Sequence, residues 1–227
     1  MPQNNLCIIP ARGGSKRIPR KNVKKFLGKP IIAYSIEAAI HSDCFSEVMV
    51  STDDEEIAAV ARAHGASVPF LRSDANANDH ATLSDVIEEV KAFYKSKGNN
   101  FDNICCILAT APLVTSELIK KGLSFLLSSK ADSVRPIVRF SYPIQRAFRL
   151  GDNGVVEMIQ KEYLKTRSQD LEPAFFDSGM FYWMKYEKGL KGEKRFAFEI
   201  KESQAQDIDH EEDWRLAEMK YALLARD

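Results

Sequence analysis

Two stretches of opposite charge hold the residue types that can do chemistry. Between Pro10 and Lys29 the chain has eight basic residues and no acid, with Gly13 and Gly14 adjacent near its start. Glycines let backbone approach a ligand closely or take positive φ, and N–H groups in a tight loop make an anion-binding nest. Ala11, Arg12, Gly13, Gly14, Ser15 and Lys16 form that loop, and Arg12, Lys16 and Lys21 add charge-assisted contacts suited to a triphosphate. It is not a Walker A loop, because Gly28-Lys29 is followed by Pro30, and no G-x-G-x-x-G occurs. Between Glu199 and Asp213 lie seven acids and one lysine. Alternation in an extended segment points Asp207 and Asp209 to one side, where two carboxylates plus phosphate oxygens suit Mg²⁺. The same D-x-D-x-E-E-D run also suits a helix N-terminus. From these residues alone, both uses stand open.

The remaining polar clusters read more plainly. Asp53-Asp54-Glu55-Glu56 follows an apolar run and opens a helical pattern, so it is expected to cap, with Asp53 at the rim of the site. His41, His64, His80 and His210 have neither metal-ligand spacing nor a carboxylate relay, and no side chain stands out as a general base. The aromatics of FFDSGMFYW read as core, with Tyr182 the one that can face a ligand.

These residues must be positioned by an ordinary globular chain of 227 residues, 44% hydrophobic and 28% charged. That length fits one domain over 1–227 with a sizeable core. Thirty-two basic and 32 acidic residues give a net charge of zero, hence no global field for nucleic acid or a membrane surface. No apolar run is long enough to span a bilayer, and the four cysteines include no C-x-x-C, so reduced thiols in a cytoplasm are expected. Strands are expected at Leu6–Pro10, Glu47–Thr52, Ser67–Leu71, Asn103–Ala109, Ala131–Val138 and Phe175–Trp183. Helices are expected at Pro30–His41, Asp54–His64, Thr82–Lys97, Ser116–Ser129 and Glu211–Ala225. This alternation predicts an α/β fold with a mostly parallel sheet flanked by helices, and ligands beyond the strands' carboxyl ends. From about 139 to 175 the rhythm stops, predicting an excursion such as a β-arm.

The run IPARGGSKRIPRKN followed by LGKPIIAYSIEAA resembles the opening signature of the CMP-sialic acid synthetase family, cytidylyltransferases that activate nonulosonic acids. VSTDDEEIA at 50–58, VPFLR at 68–72, DSGMFYW at 177–183 and DIDHEEDW at 207–214 agree in order. The resemblance implies a Rossmann-like fold of the nucleotide-diphospho-sugar transferase type with a small dimerisation arm. It further implies a homodimer, CTP and a nine-carbon sugar acid as substrates, and Mg²⁺, or Mn²⁺, as cofactor. By matching position, Arg12, Gly13, Lys21, Asn22, Arg72, Ala81 and Thr82 should meet the nucleotide, and Asp207 and Asp209 the metal. Arg12, Lys21, Asp207 and Asp209 are then the catalytic set.

Sialic acid synthetases usually read L-Q-P-T-S-P-L where this chain reads Ile107-Leu108-Ala109-Thr110-Ala111-Pro112-Leu113. Leu108 cannot replace the glutamine's hydrogen bond to the sugar, and loss of a polar partner discriminates strongly between substrates. RFSYPIQRAF at 139–148 and TRSQDLEPAFFDSG at 166–179 look more like the branch acting on pseudaminic acid. The sugar-site candidates are therefore Leu108, Gln145, Arg146, Arg167, Gln169, Asp177 and Tyr182. Arg167 is suited to a carboxylate as a planar bidentate donor. The alternatives are sialic, legionaminic or 3-deoxy-manno-octulosonic acid as substrate, a non-catalytic nucleotide binder, and a dinucleotide oxidoreductase.

Overall fold

The computed structural model describes residues 4–224. β1 (Asn5–Pro10) is followed by a basic loop, a short hairpin of β2 (Lys25–Phe26) and β3 (Lys29–Pro30), and α1 (Ile31–His41). Next come β4 (Glu47–Ser51), α2 (Glu55–Ala63), the single turn α3 (Asp74–Ala77), α4 (Leu83–Ser96), β5 (Asn103–Ile107) and α5 (Ser116–Ser128). After β6 (Ser133–Arg139) the chain makes its excursion, which carries the hairpin β7 (Phe148–Leu150) and β8 (Val156–Met158). It returns through β9 (Phe175–Asp177), β10 (Phe181–Lys185) and β11 (Arg195–Ile200) to α6 (Glu211–Leu224). Ala225, the expected last helical residue, lies outside the described residues.

Seven strands form the main sheet in the order β11-β6-β10-β5-β1-β4, with β9 also paired to β6. β1 runs parallel to β4 and β5, and β11 parallel to β6, while β10 is antiparallel to both its neighbours. Leu6 to Ile9 of β1 are wholly buried, as a central strand covered on both faces requires. One face packs on α1, α2 and α5, with Ile32, Ile36, Ile57, Ile119 and Trp183 in that cluster. The other packs on α4 through Ile87, Val90 and Tyr94. A third cluster lies beyond these two: Ile18, Phe26, Ile31, Tyr34, Ile208, Trp214 and Ala217 join the basic loop and hairpin to α6.

Helix ends follow their local chemistry. Asp54 caps α2 by accepting from the Ile57 N–H at 3.0 Å, and Gly65 just beyond has φ +92. Thr82 and Asp85 make a reciprocal capping box on α4.

The strand expectations need three corrections. Ser67–Leu71 is not a strand: Ser67 makes one parallel bridge to Met49, and Pro69 has no N–H with which to continue a ladder. β5 ends at Ile107, although the Leu108 N–H still donates to the Met180 carbonyl at 2.9 Å. Phe175–Trp183 is two strands. Val134 and Ile137 of β6 are three positions apart, whereas their partners Trp183 and Asp177 are six apart, so Ser178-Gly179-Met180 bulge out of register. β11 and the two hairpins lie outside the βα rhythm that governs the rest.

α5 meets β10 at Gly122, where an added Cβ would sit 2.7 Å from the buried Trp183 ring and 2.9 Å from Phe181. Trp183 is held there by its indole N–H donating to the Ile119 carbonyl at 3.0 Å. Alanine ordinarily gains about 1 kcal/mol over glycine inside a helix. Here Gly122→Ala is expected to lose about 1–3 kcal/mol instead, because the ring has nowhere to go. Urea denaturation measures it, and a stabilised variant would contradict the close packing.

Candidate active site

The basic loop leaves the carboxyl end of β1, where the Ala11 N–H prolongs the pairing with β4 by donating to the Ser51 carbonyl at 2.9 Å. Gly13 approaches so closely that a Cβ there would lie 2.7 Å from the Asp54 carboxylate, which explains the glycine. Its N–H donates to Asp53 at 3.0 Å. Arg20, itself at φ +54, donates through both Nη atoms to Asp54 at 2.5 and 3.0 Å and also reaches Glu56. Asp54 thus caps α2 and anchors the loop at once, and the guanidinium holds its carboxyl down at about 2. Asn22, nearly buried, donates to the Arg12 carbonyl at 2.9 Å.

The acidic segment arrives from the opposite end of the chain. Ile208 is fully buried in the third cluster, so its neighbours Asp207 and Asp209 turn outward. Lys21 Nζ donates to the Ile208 carbonyl at 2.6 Å and lies 3.9 Å from Asp209, which pairs with Arg17 at 2.7 Å. Burial lowers the Lys21 pKa against the pull of Asp209 and Asp207. The Asp207 carboxyl is raised, first by burial and then by the charge on Asp209. In the first turn of α6, Asp213 accepts from the preceding Asp209 and His210 N–H groups at 3.0 and 2.8 Å. Asp207 and Asp209 repel one another and point outward, with Asp209 held by Arg17, and two such carboxylates are a donor set that fits a hard divalent cation sharing phosphate oxygens. Among the described residues, no group of three His, Cys, Asp or Glu gathers at metal-binding range.

Between the basic loop and the end of β5 opens a cavity of about 380 Å³ lined by Arg12, Ser15, Lys16, Lys21, Asn22 and Leu108 among others. Arg12 Nη1 reaches Asp79 at 2.8 Å and the Asn78 carbonyl at 3.1 Å, and Lys16 reaches the same Asp79 at 2.5 Å. Ala81 and Thr82 stand on that segment: the Ala81 N–H is held by Asn78, and the Thr82 hydroxyl is engaged with Asp85. Arg72 is buried behind β4, where Nε donates to Ser51 Oγ at 3.0 Å. Burial works against its charge and Asp53 supports it. Gly14 has open space around it.

A family model described as Cytidylyltransferase matches residues 6–223. The chain belongs to the cytidylyltransferase family. It is therefore an enzyme of the nucleotidyltransferase class. A pseudaminic acid cytidylyltransferase of Campylobacter jejuni is 46% identical over 179 residues, covering 79% of this chain and 77% of that one. Another from the same species is 40% identical over 222 residues, covering 96% of each. A solved CMP:2-keto-3-deoxy-manno-octonic acid synthetase complexed with CTP superposes with a TM-score of 0.69 at 18% identity, covering 98% of this chain and 99% of that one. That likeness establishes the nucleotidyltransferase fold, a mixed sheet flanked by helices.

In this cytidylyltransferase the sugar-site candidates fall into two groups. Leu108 lines the cavity, and Asp177 and Tyr182 flank the β9–β10 bulge, where a Cβ on Gly179 would lie 3.7 Å from Asp207. Gln145, Arg146, Arg167 and Gln169 are instead on the excursion. Gln169 lines a separate recess of about 340 Å³ with Arg139, Phe140 and Glu172. Gln145 donates to the Glu172 carbonyl at 2.9 Å, Arg146 to that of Thr166 at 2.6 Å, and the exposed Arg167 pairs locally with Asp170 at 2.7 Å. Gln145 Oε1 and Arg146 Nε are buried without partners. Sequence reasoning missed Asp79 and the pairing of Arg17 with Asp209. Both depend on contacts across 63 or more residues, which no local pattern encodes.

The Arg20–Asp54 pair sets a pH dependence. A carboxyl held below its ordinary value contributes stability that is complete above about pH 4 and fades as the pH falls toward 2. Asp54→Asn is expected to cost about 1–2 kcal/mol at pH 7. The gap to wild type should shrink below pH 4 in urea titrations, and a gap constant down to pH 3 would contradict the assignment.

Proposed function

We propose that this enzyme transfers CMP from CTP to pseudaminic acid, releasing pyrophosphate. The supporting observation is convergence at one sheet edge. Arg12, Lys16, Lys21 and the apolar Leu108 line one recess, and Arg17 and Lys21 of the same lining lie 2.7 and 3.9 Å from Asp209. Leu108 stands where sialic acid enzymes carry a sugar-contacting glutamine, and the Campylobacter relatives are named for pseudaminic acid. Sialic, legionaminic and 3-deoxy-manno-octulosonic acids are the alternatives.

In this reading the sugar's anomeric hydroxyl attacks the α-phosphorus of CTP and gives up its proton to solvent. A new P–O bond forms as the bond to the β-phosphate oxygen breaks, and that pair of electrons leaves with pyrophosphate. Proximity and charge stabilisation are the protein's main contributions. The Gly13–Lys16 turn receives the phosphates, Arg12 and Lys21 offset charge on the departing pyrophosphate, and the segment bearing Ala81 and Thr82 frames the cytidine above Arg72. Asp207 and Asp209 would hold Mg²⁺ or Mn²⁺, which supplies phosphate charge neutralisation and Lewis acidity. Phosphates entering the loop displace Asp79 from Arg12 and Lys16.

A homodimer belongs to the same proposal. The excursion exposes Tyr142, Phe148, Leu150 and Leu164 at 62–83%, which is more large apolar surface than a lone small arm ordinarily leaves wet. A second copy covering it would bring Gln145, Arg146, Arg167 and Gln169 toward a partner's recess. The four free cysteines fit a cytoplasmic setting. Among the described residues, no helix is long and apolar enough to cross a membrane.

Pyrophosphate release with CTP and Mg²⁺, measured across the four acids, tests the reading. Turnover confined to pseudaminic acid is expected; preference for another acid overturns the Leu108 argument, and silence with all of them overturns the reaction. Asp209→Ala should lose turnover by about 100-fold or more while its circular dichroism and melting stay near wild type. Wild-type kinetics in that variant would remove Asp209 from the metal site.

A further inference from the structure

We propose that Arg135 is a positioning residue for the sugar acid, acting through Asp177 and the Ser178-Gly179-Met180 bulge. The inference rests on the sugar-activating reading above and adds a residue to it.

Arg135 lies on β6, facing the interrupted strand β9–β10. Its Nη1 donates to Asp177 Oδ2 at 2.9 Å, and its guanidinium lies 4.8 Å from the centre of the Tyr182 ring. The other oxygen of Asp177 accepts the Gly179 N–H at 3.0 Å. Gly179, at φ +65, is the residue whose added Cβ would stand 3.7–3.9 Å from Asp207. Hydrogen bonds therefore run from Arg135 through Asp177 to Gly179, whose open side faces Asp207, and Tyr182 is pinned alongside.

Three features separate this from an incidental surface ion pair. Bulges interrupt pairing and re-aim side chains, and they concentrate beside active sites. Here the ladder supplies the Ser178 N–H and the Met180 carbonyl with partners, whereas the Gly179 N–H depends on Asp177. Second, a planar guanidinium can pair edge-on with a carboxylate and cover an aromatic face at the same time, which an ammonium cannot. Third, an isolated exposed pair contributes little stability, so two contacts converging on the bulge make sense chiefly as alignment. Asp177 would otherwise be free to swing toward solvent. Tied at both oxygens, Asp177 is held in place, and the Tyr182 ring keeps one orientation against the guanidinium.

Steady-state kinetics on Arg135→Gln, Arg135→Lys, Asp177→Asn and the Arg135→Gln/Asp177→Asn double variant test the assignment. Arg135→Gln is expected to raise the sugar acid's KM about tenfold or more, with the KM for CTP within about twofold. Arg135→Lys should recover part of that loss by restoring charge without the fork. The double variant should be no worse than the worse single one, since both changes break one device. Equal rises in both KM values would mark Arg135 as merely structural, and additive losses, or an Asp177→Asn variant with wild-type sugar KM, would show that it does not act through Asp177. Any of these overturns the proposal while leaving the reaction intact. Absence of wild-type turnover with all four acids removes the reaction itself and this proposal with it.

Discussion

A small apolar cluster outside the main sheet determines whether this molecule has a site. Ile18 from the basic loop, Phe26 and Ile31 from the hairpin region, and Ile208, Trp214 and Ala217 from the C-terminal segment bury one another. Phe26 makes edge-on contacts with Tyr34 and Trp214, with ring centres 5.3 and 5.6 Å apart. Burying such side chains is worth roughly 1.5–3 kcal/mol each. That gain holds together two oppositely charged segments that begin nearly 200 residues apart. Cations and carboxylates alone would not fix them, because exposed ion pairs contribute little and weaken with salt. The hydrophobic contact provides the geometry; the charges then work within it.

The sheet provides the second constraint. Because β1, β4 and β5 run parallel, their carboxyl ends and the loops beyond them collect on one edge. β10 is inserted antiparallel between β5 and β6, so it reaches that edge with its amino-terminal end. The bulge before β10 is consequently delivered to the same edge as the basic loop, beside Asp207. An uninterrupted strand would have carried those three residues inside the ladder, away from the acids.

Much of this was legible in the sequence, and the misses have physical causes. β1 and the helices were readable because buried strands and amphipathic helices have short-range periodicity, and because Asp54, Thr82, Gly65 and Gly98 punctuate them locally. The outward placement of the D-x-D pair was readable, since alternation around the apolar Ile208 is visible in three residues. The split of Phe175–Trp183 was not, because both halves are rich in strand formers and the slip exists only relative to β6. Ser67–Leu71 misled for the opposite reason: apolar content suggested a strand, while Pro69 removed a donor the ladder needs. Charge balance misled as well. Eight cations without a local acid looked uncompensated, yet Arg12, Lys16, Arg17, Arg20, Lys24 and Lys29 all find carboxylates far along the chain or across a turn.

Asp53 on the Gly13 amide and Asp79 on Arg12 and Lys16 give that compensation a further meaning. The basic loop already holds the protein's own anions, so a polyanion entering it, as the proposed reaction requires, would exchange one negative group for another and would not neutralise bare charge. In an ion-exchange site of this kind few mobile counterions are bound beforehand and few are set free on binding. Its affinity then varies less steeply with salt than eight cations would suggest, and discrimination shifts from the amount of charge a ligand brings to how well its oxygens fit the places two carboxylates have kept.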